Sequence, residues 1–180
     1  MKKVKVEITG ISPLLMNNPI SMIESSETSM SSRTAKIDHK KEAEKLLYKS
    51  KNGNLYIPAT AIKGSMIGAA SYKKIGKYAA KPMIAGGIFI SPQEVDLGTK
   101  KYDIDLRTVV IQRARVVKAR PMLETWKASF EISYNDKLIG SSDIIKTILS
   151  EAGERVGLLD FRPQKLGDFG RFEVTKWQEE

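Results

Sequence analysis

Residues 157–174 (GLLDFRPQKLGDFGRFEV) have the composition in this chain that best suits the binding of a charged ligand. Three glycines separate pairs of charged and aromatic residues. Glycine lets a backbone approach a ligand because it has no Cβ atom. Arg and Lys provide positive charge for phosphates, and aromatic rings provide flat faces on which bases stack. The segment therefore suggests a loop that grips a nucleic-acid backbone, although glycine and arginine are also ordinary turn and surface residues.

A pair of glycines lies on a predicted helix. Gly64 and Gly68 are four residues apart, which places them on one helix face. The helix is predicted to begin near Thr60, a suitable N-cap, and to bury Ile62 and Met66. Such a glycine pair allows either a ligand to approach the helix or the helix to pack closely against a sheet. The sequence leaves both interpretations open.

Composition excludes several classes of active site. The chain of 180 residues has no cysteine and one histidine, His39. It therefore has neither a disulfide framework nor a zinc site built from Cys and His. No apolar run approaches the roughly 20 residues that cross a bilayer, so no membrane partner is expected. We expect a soluble, cytoplasmic protein that folds as a single domain over residues 1–180 and needs no cofactor or metal.

The positive charge is concentrated in the middle of the chain. The formal net charge is +9, and residues 61–120 carry twelve Lys and Arg against four Asp and Glu. A local excess of this kind is typical of proteins that bind a polyanion. The alternative is a basic surface that only aids solubility.

The apolar periodicity predicts an α+β protein. When the segments outside the core are left out, the order of elements is strand, helix, strand, strand, helix, strand. This is the βαββαβ pattern of a ferredoxin-like or RRM-like core with an antiparallel sheet. We predict an insertion over residues 20–50 after the first strand, partly flexible at its Ser- and Thr-rich part, residues 21–34. Asp38 is expected to cap a short helix within it. Residues 79–108 are predicted to form a hairpin-like excursion. The core elements are predicted at residues 2–9, 60–70, 109–120, 125–134, 142–152 and 171–176.

Two segments together indicate a family. Residues 52–70 (NGNLYIPATAIKGSMIGAA) take a strand through Ile-Pro into a helix, and residues 157–174 supply a glycine-rich loop before the last strand. The chain resembles the RAMP superfamily of CRISPR-associated proteins, particularly the backbone subunits that polymerise along guide RNA. Lys63 and Gly64 match the family's Lys-Gly directly. The resemblance is compatible with a divergent phage or mobile-element homologue.

The resemblance implies a nucleic-acid groove. Lys63, at a helix N-terminus, would bind a backbone phosphate; the alternative is an ordinary solvated lysine. Residues 79–108 would correspond to the family's thumb. Further phosphate or base contacts would come from Arg162, Lys165, Arg171, Arg113, Arg115 and Arg120. Arg162 has an alternative as an ion-pair partner of Asp160 or Asp168, and the strand arginines have one as a solvated face.

The residues available for catalysis are few. The resemblance offers His39 as a general acid or base of an endoribonuclease, and Asp38 as an aspartate that cleaves target RNA. A helix cap explains Asp38 better, and no tuned, positioned acid–base pair is evident.

We therefore predict a non-catalytic protein that binds single-stranded RNA or DNA and associates side by side into a helical or filament-like oligomer. It would also suit a place among other subunits of a ribonucleoprotein complex. The alternatives are a RAMP-type endoribonuclease and a structural or assembly protein without a nucleic-acid ligand.

Overall fold

The computed structural model describes residues 1–20, 38–111 and 113–180. Over these ranges the chain is a mixed α+β protein with antiparallel sheets, which confirms the predicted class at that level. Residues 21–34 of the predicted insertion lie outside the described residues. The strands are β1 (Lys2–Gly10), β2 (Leu14–Leu15), β3 (Tyr56–Pro58), β4 (Lys74–Ile75), β5 (Tyr78–Ala79), β6 (Ile88–Ser91), β7 (Glu94–Asp96), β8 (Asp103–Ile111), β9 (Ala114–Leu123), β10 (Lys127–Tyr134) and β11 (Phe172–Glu179). The α-helices are α1 (His39–Lys45), α2 (Ala59–Ala69), α3 (Ala80–Gly87), α4 (Asp136–Ile139) and α5 (Ser142–Glu151).

The largest sheet has four antiparallel strands in the order β11–β1–β10–β6. In β1, Val4, Val6 and Ile8 are buried, and the residues between them face the other side. β10 continues this apolar face, with Ile132 opposite Val4 and Phe130 opposite Val6. The period of two that predicted both strands is therefore also the pattern that sets their buried face.

Two helices cover the apolar face of this sheet. α2 buries Ile62 and Met66, as predicted, and α5 buries Ile145, Ile148 and Leu149, which lie on one face of the helix. α5 ends at Glu151, one residue before its predicted end, and the chain continues through a π-helical turn, Ala152–Val156. At Gly153 a Cβ atom would collide with the carbonyl oxygen of Phe172 in β11. Glycine is needed there for close packing of the turn on the sheet.

The predicted position of the second core strand, residues 109–120, is wrong. β6, within the range 79–108, pairs with β10 and completes the sheet, whereas residues 109–120 belong to the long hairpin β8–β9. β2 adds a third strand to that hairpin at its base. Besides β6, the range 79–108 contains α3, β7 and the start of β8. β6 is only four residues long, too short for its periodicity to compete with the ten-residue β9.

The described part of the predicted insertion forms α1. Asp38 is its N-cap and accepts hydrogen bonds from the amides of Lys40 and Lys41, as predicted. Ala43, Leu46 and Leu47 are buried, and α1 lies along β9, where the carboxylate of Glu42 accepts a hydrogen bond from the Ala119 amide. None of the described helices has both the length and the apolar character needed to cross a membrane.

Candidate nucleic-acid interface

The glycine-rich loop between α5 and β11 is anchored on the segment that follows β1. The amide of Asp160 donates to the carbonyl oxygen of Leu15 at 3.0 Å, and the amide of Gly170 donates to that of Pro13 at 2.7 Å. The loop is also closed on itself, because the Leu158 amide donates to the carbonyl oxygen of Gly170 at 2.9 Å. These bonds hold the loop as a fixed surface on the end of the sheet.

The glycines of this loop serve its own packing. A Cβ atom at Gly157 would meet the ring of Pro163, one at Gly167 would meet the carbonyl oxygen of Phe161, and one at Gly170 would meet that of Leu158. Gly157 and Gly170 also have φ angles of +74° and +70°, which favour glycine. The expectation that these glycines open the backbone to a ligand is therefore wrong, since the space they leave is filled by the chain itself.

Two predicted arginines of the loop also bind the protein backbone. Arg162 donates through Nη1 to the carbonyl oxygen of Leu159 at 2.7 Å and through Nη2 to Gln164. Arg171 donates through Nη1 to the carbonyl oxygen of Glu154 at 3.0 Å, and its Nη2 lies 3.5 Å from Asp168. Because a guanidinium has five N–H donors, each arginine stabilises the loop and keeps donors for another partner.

Arg120 connects the hairpin β8–β9 to the loop. Its Nε lies 3.2 Å from Oδ2 of Asp160, and its side chain is only 11% exposed. The two atoms lack hydrogen-bond alignment, so the contact is an ion pair. The pair neutralises the charge of Asp160, and it leaves Arg120 largely inaccessible to a ligand. A neighbouring contact that the sequence did not indicate places the Arg107 guanidinium 4.7 Å from the ring centroid of Phe169.

The other two predicted strand arginines lie far from this contact. Arg113 is exposed at the turn of the hairpin, with a φ of +67°. Arg115 is exposed opposite Val110. Arg115 and Arg120 are five residues apart, so they lie on opposite faces of β9 and about 17 Å apart along it. The structure therefore does not bring the three strand arginines into one groove.

Lys63 connects α2 to the sheet. Its Nζ donates to the carbonyl oxygen of Ile88, the first residue of β6, at 2.9 Å. This bond stabilises the start of the strand that the sequence misplaced. The ammonium is directed toward β6, and Lys63 does not line the cavity at the start of its helix.

That cavity, called here the α2 cavity, has a volume of about 610 Å³ and separates the first turns of α2 from the loop. Thr60, Ala61 and Gly64 line it from the helix, and Arg162 and Lys165 line it from the loop. The ammonium of Lys165 makes no ion pair with any described residue. Two predicted cations, Arg162 and Lys165, thus face the start of the helix that the sequence also singled out.

The start of α2 is suited to an anion. The predicted N-cap Thr60 is wrong: the helix begins at Ala59, its N-cap is Pro58, two residues before Thr60, and no side chain caps it. No acidic residue lies in its first turn. The amide of Ala59 donates to the carbonyl oxygen of Gln93, which leaves the amides of Thr60 and Ala61 beside the cavity. Uncapped amides and the helix dipole attract negative charge.

Gly64 differs from the loop glycines. A Cβ atom built on it would have no described neighbour within 4 Å, and the residue is exposed in the middle of a helix. Gly68, one turn later, does pack, against Val156 and Gln164. Of the two interpretations of this pair, close packing holds for Gly68. Gly64 leaves open space in the wall of the α2 cavity, where a ligand can approach the helix backbone.

The uncovered face of the four-stranded sheet carries paired charges. Lys3 binds Glu131 at 2.9 Å, Lys176 binds Glu7 at 3.0 Å, and Lys5 binds Glu180. The hydrogen bond with Glu131 raises the pKa of Lys3, and the one from Lys176 lowers the pKa of Glu7. Both shifts favour the ionised pairs at neutral pH. This face therefore offers a polyanion little unpaired positive charge.

The candidate catalytic residues have structural partners. Asp38 caps α1, which confirms the alternative predicted for it, and Nδ1 of His39 lies 3.5 Å from Oε2 of Glu42. Within the described ranges, no group of three His, Asp or Glu side chains is arranged to hold a metal ion. The prediction that the protein is not an enzyme stays a prediction.

No family model and no curated protein matches this chain. The functional argument therefore depends on the geometry of the α2 cavity and its surroundings.

Proposed function

We propose that this protein binds single-stranded nucleic acid, with RNA as the expected strand, and that it associates side by side along its ligand in the cytoplasm without cleaving it. The observation that carries the proposal is the α2 cavity. An uncapped helix N-terminus faces Lys165 and Arg162 there across a space of about 610 Å³. These groups suit a phosphate, which is common to every sequence, so we expect little sequence preference.

We also propose a ferredoxin-like, RRM-like βαββαβ core, related to the RAMP backbone subunits. The strand order β11–β1–β10–β6, with α2 and α5 on one face, supports this core. The position of the α2 cavity supports the relationship, because it joins the two segments that carry the resemblance, the Ile-Pro-to-helix turn and the glycine-rich loop. The paired charges on the open sheet face favour the α2 cavity over that face as the position of the expected strand.

The hairpin β8–β9 supports the proposed self-association. Its apolar side chains Leu106, Val110 and Val117 are exposed on one face, and Val110 is 69% exposed. Exposed apolar side chains on a hairpin favour contact with another protein surface, and we propose a second copy of the chain as the partner. Light scattering after size exclusion tests this. We expect a larger species for the wild type with oligonucleotide, and a monomer for Val110→Lys. Equal masses for both proteins would contradict it.

Fluorescence anisotropy with labelled single-stranded RNA and DNA of the same sequence tests the binding. We expect affinity to fall as salt rises. Lys165→Gln should weaken binding for all sequences and reduce the slope of log affinity against log salt by about 0.7, the value for one lost phosphate contact on a single strand.

Lys51→Gln is the matched control. Lys51 is exposed in the turn before β3 and does not line the α2 cavity, so it makes the same change in net charge elsewhere. Equal effects of the two substitutions would assign binding to overall charge and not to the cavity. Absent or salt-insensitive binding by the wild type would contradict the function itself.

A further inference from the structure

A second basic surface lies beyond the other end of α2. A groove of about 720 Å³ runs between the hairpin β4–β5 and the helices α3 and α4. Pro82, Met83 and Leu138 give it an apolar floor, and Tyr78 forms part of its wall. We call it the Tyr78 groove. The α2 cavity lies along the first half of α2, up to Ser65, whereas the Tyr78 groove lies beyond the end of the helix at Ala69.

The rim of the Tyr78 groove is positively charged. Lys77 and Lys137 line it, and Lys74 and Lys81 are exposed on the adjoining strand and helix. None of these four lysines forms an ion pair with a described residue. No described carboxylate lines the groove, whereas the neighbouring Lys73 is paired with Glu151. The groove therefore combines an apolar floor with unpaired positive charge, which is complementary to a ligand with flat apolar groups and regular negative charge.

Exposed aromatic rings mark this region. Tyr78 is 60% exposed, and Nζ of Lys77 lies 5.4 Å from its ring centroid. Tyr72, just before the hairpin, is 89% exposed. The face of an aromatic ring is negatively polarised, so it attracts no carboxylate, but it stacks well on a nucleobase. This favours a nucleic-acid strand over an acidic peptide as the occupant.

We propose that the Tyr78 groove is a second contact for single-stranded nucleic acid, in which a base stacks on Tyr78 while Lys77 and Lys137 bind the flanking phosphates. The inference rests on the proposed function, since the same strand would contact both ends of α2. The Tyr78 groove would bind a base by stacking, whereas the α2 cavity would bind a phosphate, so the two sites would contribute to affinity in different ways. Stacking on a single aromatic residue contributes about five- to hundredfold in affinity.

The test compares Tyr78→Ala, Tyr78→Phe and the wild type in anisotropy titrations with a single-stranded oligonucleotide. We expect Tyr78→Ala to weaken binding by about five- to hundredfold, and Tyr78→Phe to bind like the wild type because the ring is retained. Phe89→Ala is the matched control, since Phe89 is a half-exposed aromatic residue that does not line the groove. It should leave affinity unchanged.

The lysines give an independent readout. The double variant Lys77→Gln, Lys137→Gln should reduce the salt slope by about 1.4, for two phosphate contacts. A wild type that binds no oligonucleotide would overturn both this inference and the proposed function. Binding that is weakened by Lys165→Gln but is the same for Tyr78→Ala and the wild type would overturn the groove alone. Tyr78-dependent binding of a polyglutamate peptide, without Tyr78-dependent binding of an oligonucleotide, would also overturn it.

Discussion

Gly64 gives the sharpest test of the α2 cavity, because its replacement should change stability and binding in opposite directions. It lies in the middle of α2, where glycine costs about 0.5–1 kcal/mol relative to alanine. Apart from the adjoining backbone of the helix, no described atom lies within 4 Å of the position of an added Cβ. Gly64→Ala should therefore raise the free energy of unfolding by about 0.5–1 kcal/mol, and the Tm by about 1–4 °C.

The same methyl group should weaken binding. It would project into the α2 cavity beside Thr60 and Ala61, where we expect the phosphate to approach the helix. Overpacking of a close contact costs about 1–3 kcal/mol, and 1 kcal/mol is about a fivefold change in Kd. We therefore expect Gly64→Ala to raise the Kd for single-stranded RNA at least about fivefold.

Gly86→Ala is the matched control. Gly86 lies near the end of α3, is exposed, and also has no neighbour within 4 Å of an added Cβ. It lines neither the α2 cavity nor the Tyr78 groove. Urea unfolding and anisotropy titrations of the two variants should show similar stabilisation but weaker binding only for Gly64→Ala. If Gly64→Ala stabilises the protein but leaves the Kd for single-stranded RNA unchanged, the ligand does not approach this face of α2.

Three further predictions concern the framework of the site. Asp160→Asn should lower the free energy of unfolding in urea by about 1–3 kcal/mol, because it leaves the largely buried Arg120 without its charged partner; an unchanged value would show that the pair does not stabilise the loop. Gly170→Ala should cost about 2 kcal/mol or more in the same assay, since it adds strain at a positive φ and a clash with the backbone; a neutral effect would contradict the described loop. Folding lowers the pKa of Glu7 from its usual value of 4.5. Its ionised form should therefore stabilise the protein above pH 4.5, and this stabilisation should be lost as the pH falls through the lowered pKa. Urea midpoints of Glu7→Gln between pH 6 and pH 3 should therefore vary less than those of the wild type, and parallel curves would contradict the pairing with Lys176.

The elements with long, regular patterns could be predicted from the sequence. β1 and β10 alternate over eight or more residues, and α5 has a clear apolar stripe, so local periodicity alone identified them. β6 was not assigned to the core sheet, because four residues carry too little pattern. β9 was misplaced because its alternation gives a strand but not the sheet to which it belongs.

The candidate site was predicted only in part, because a sequence does not show which atoms fill a space or pair with a charge. The loop glycines suggested an opening for a ligand, yet the chain itself fills that space, whereas a Cβ atom at Gly64 would project into open space. Arg120 pairs with Asp160, forty residues away, and Lys63 binds the start of β6. Such partners are set by tertiary packing and have no local signal.

The most direct measurement of the central claim is an NMR titration of the ¹⁵N-labelled protein with a short single-stranded RNA. The account predicts that the backbone amide signals of Thr60, Ala61 and Gly64 shift most strongly, and that the shifts diminish as salt is added. Amides of the open sheet face, such as those of Lys5 and Ser129, should move little. Large shifts on that face with none at the start of α2 would contradict the account.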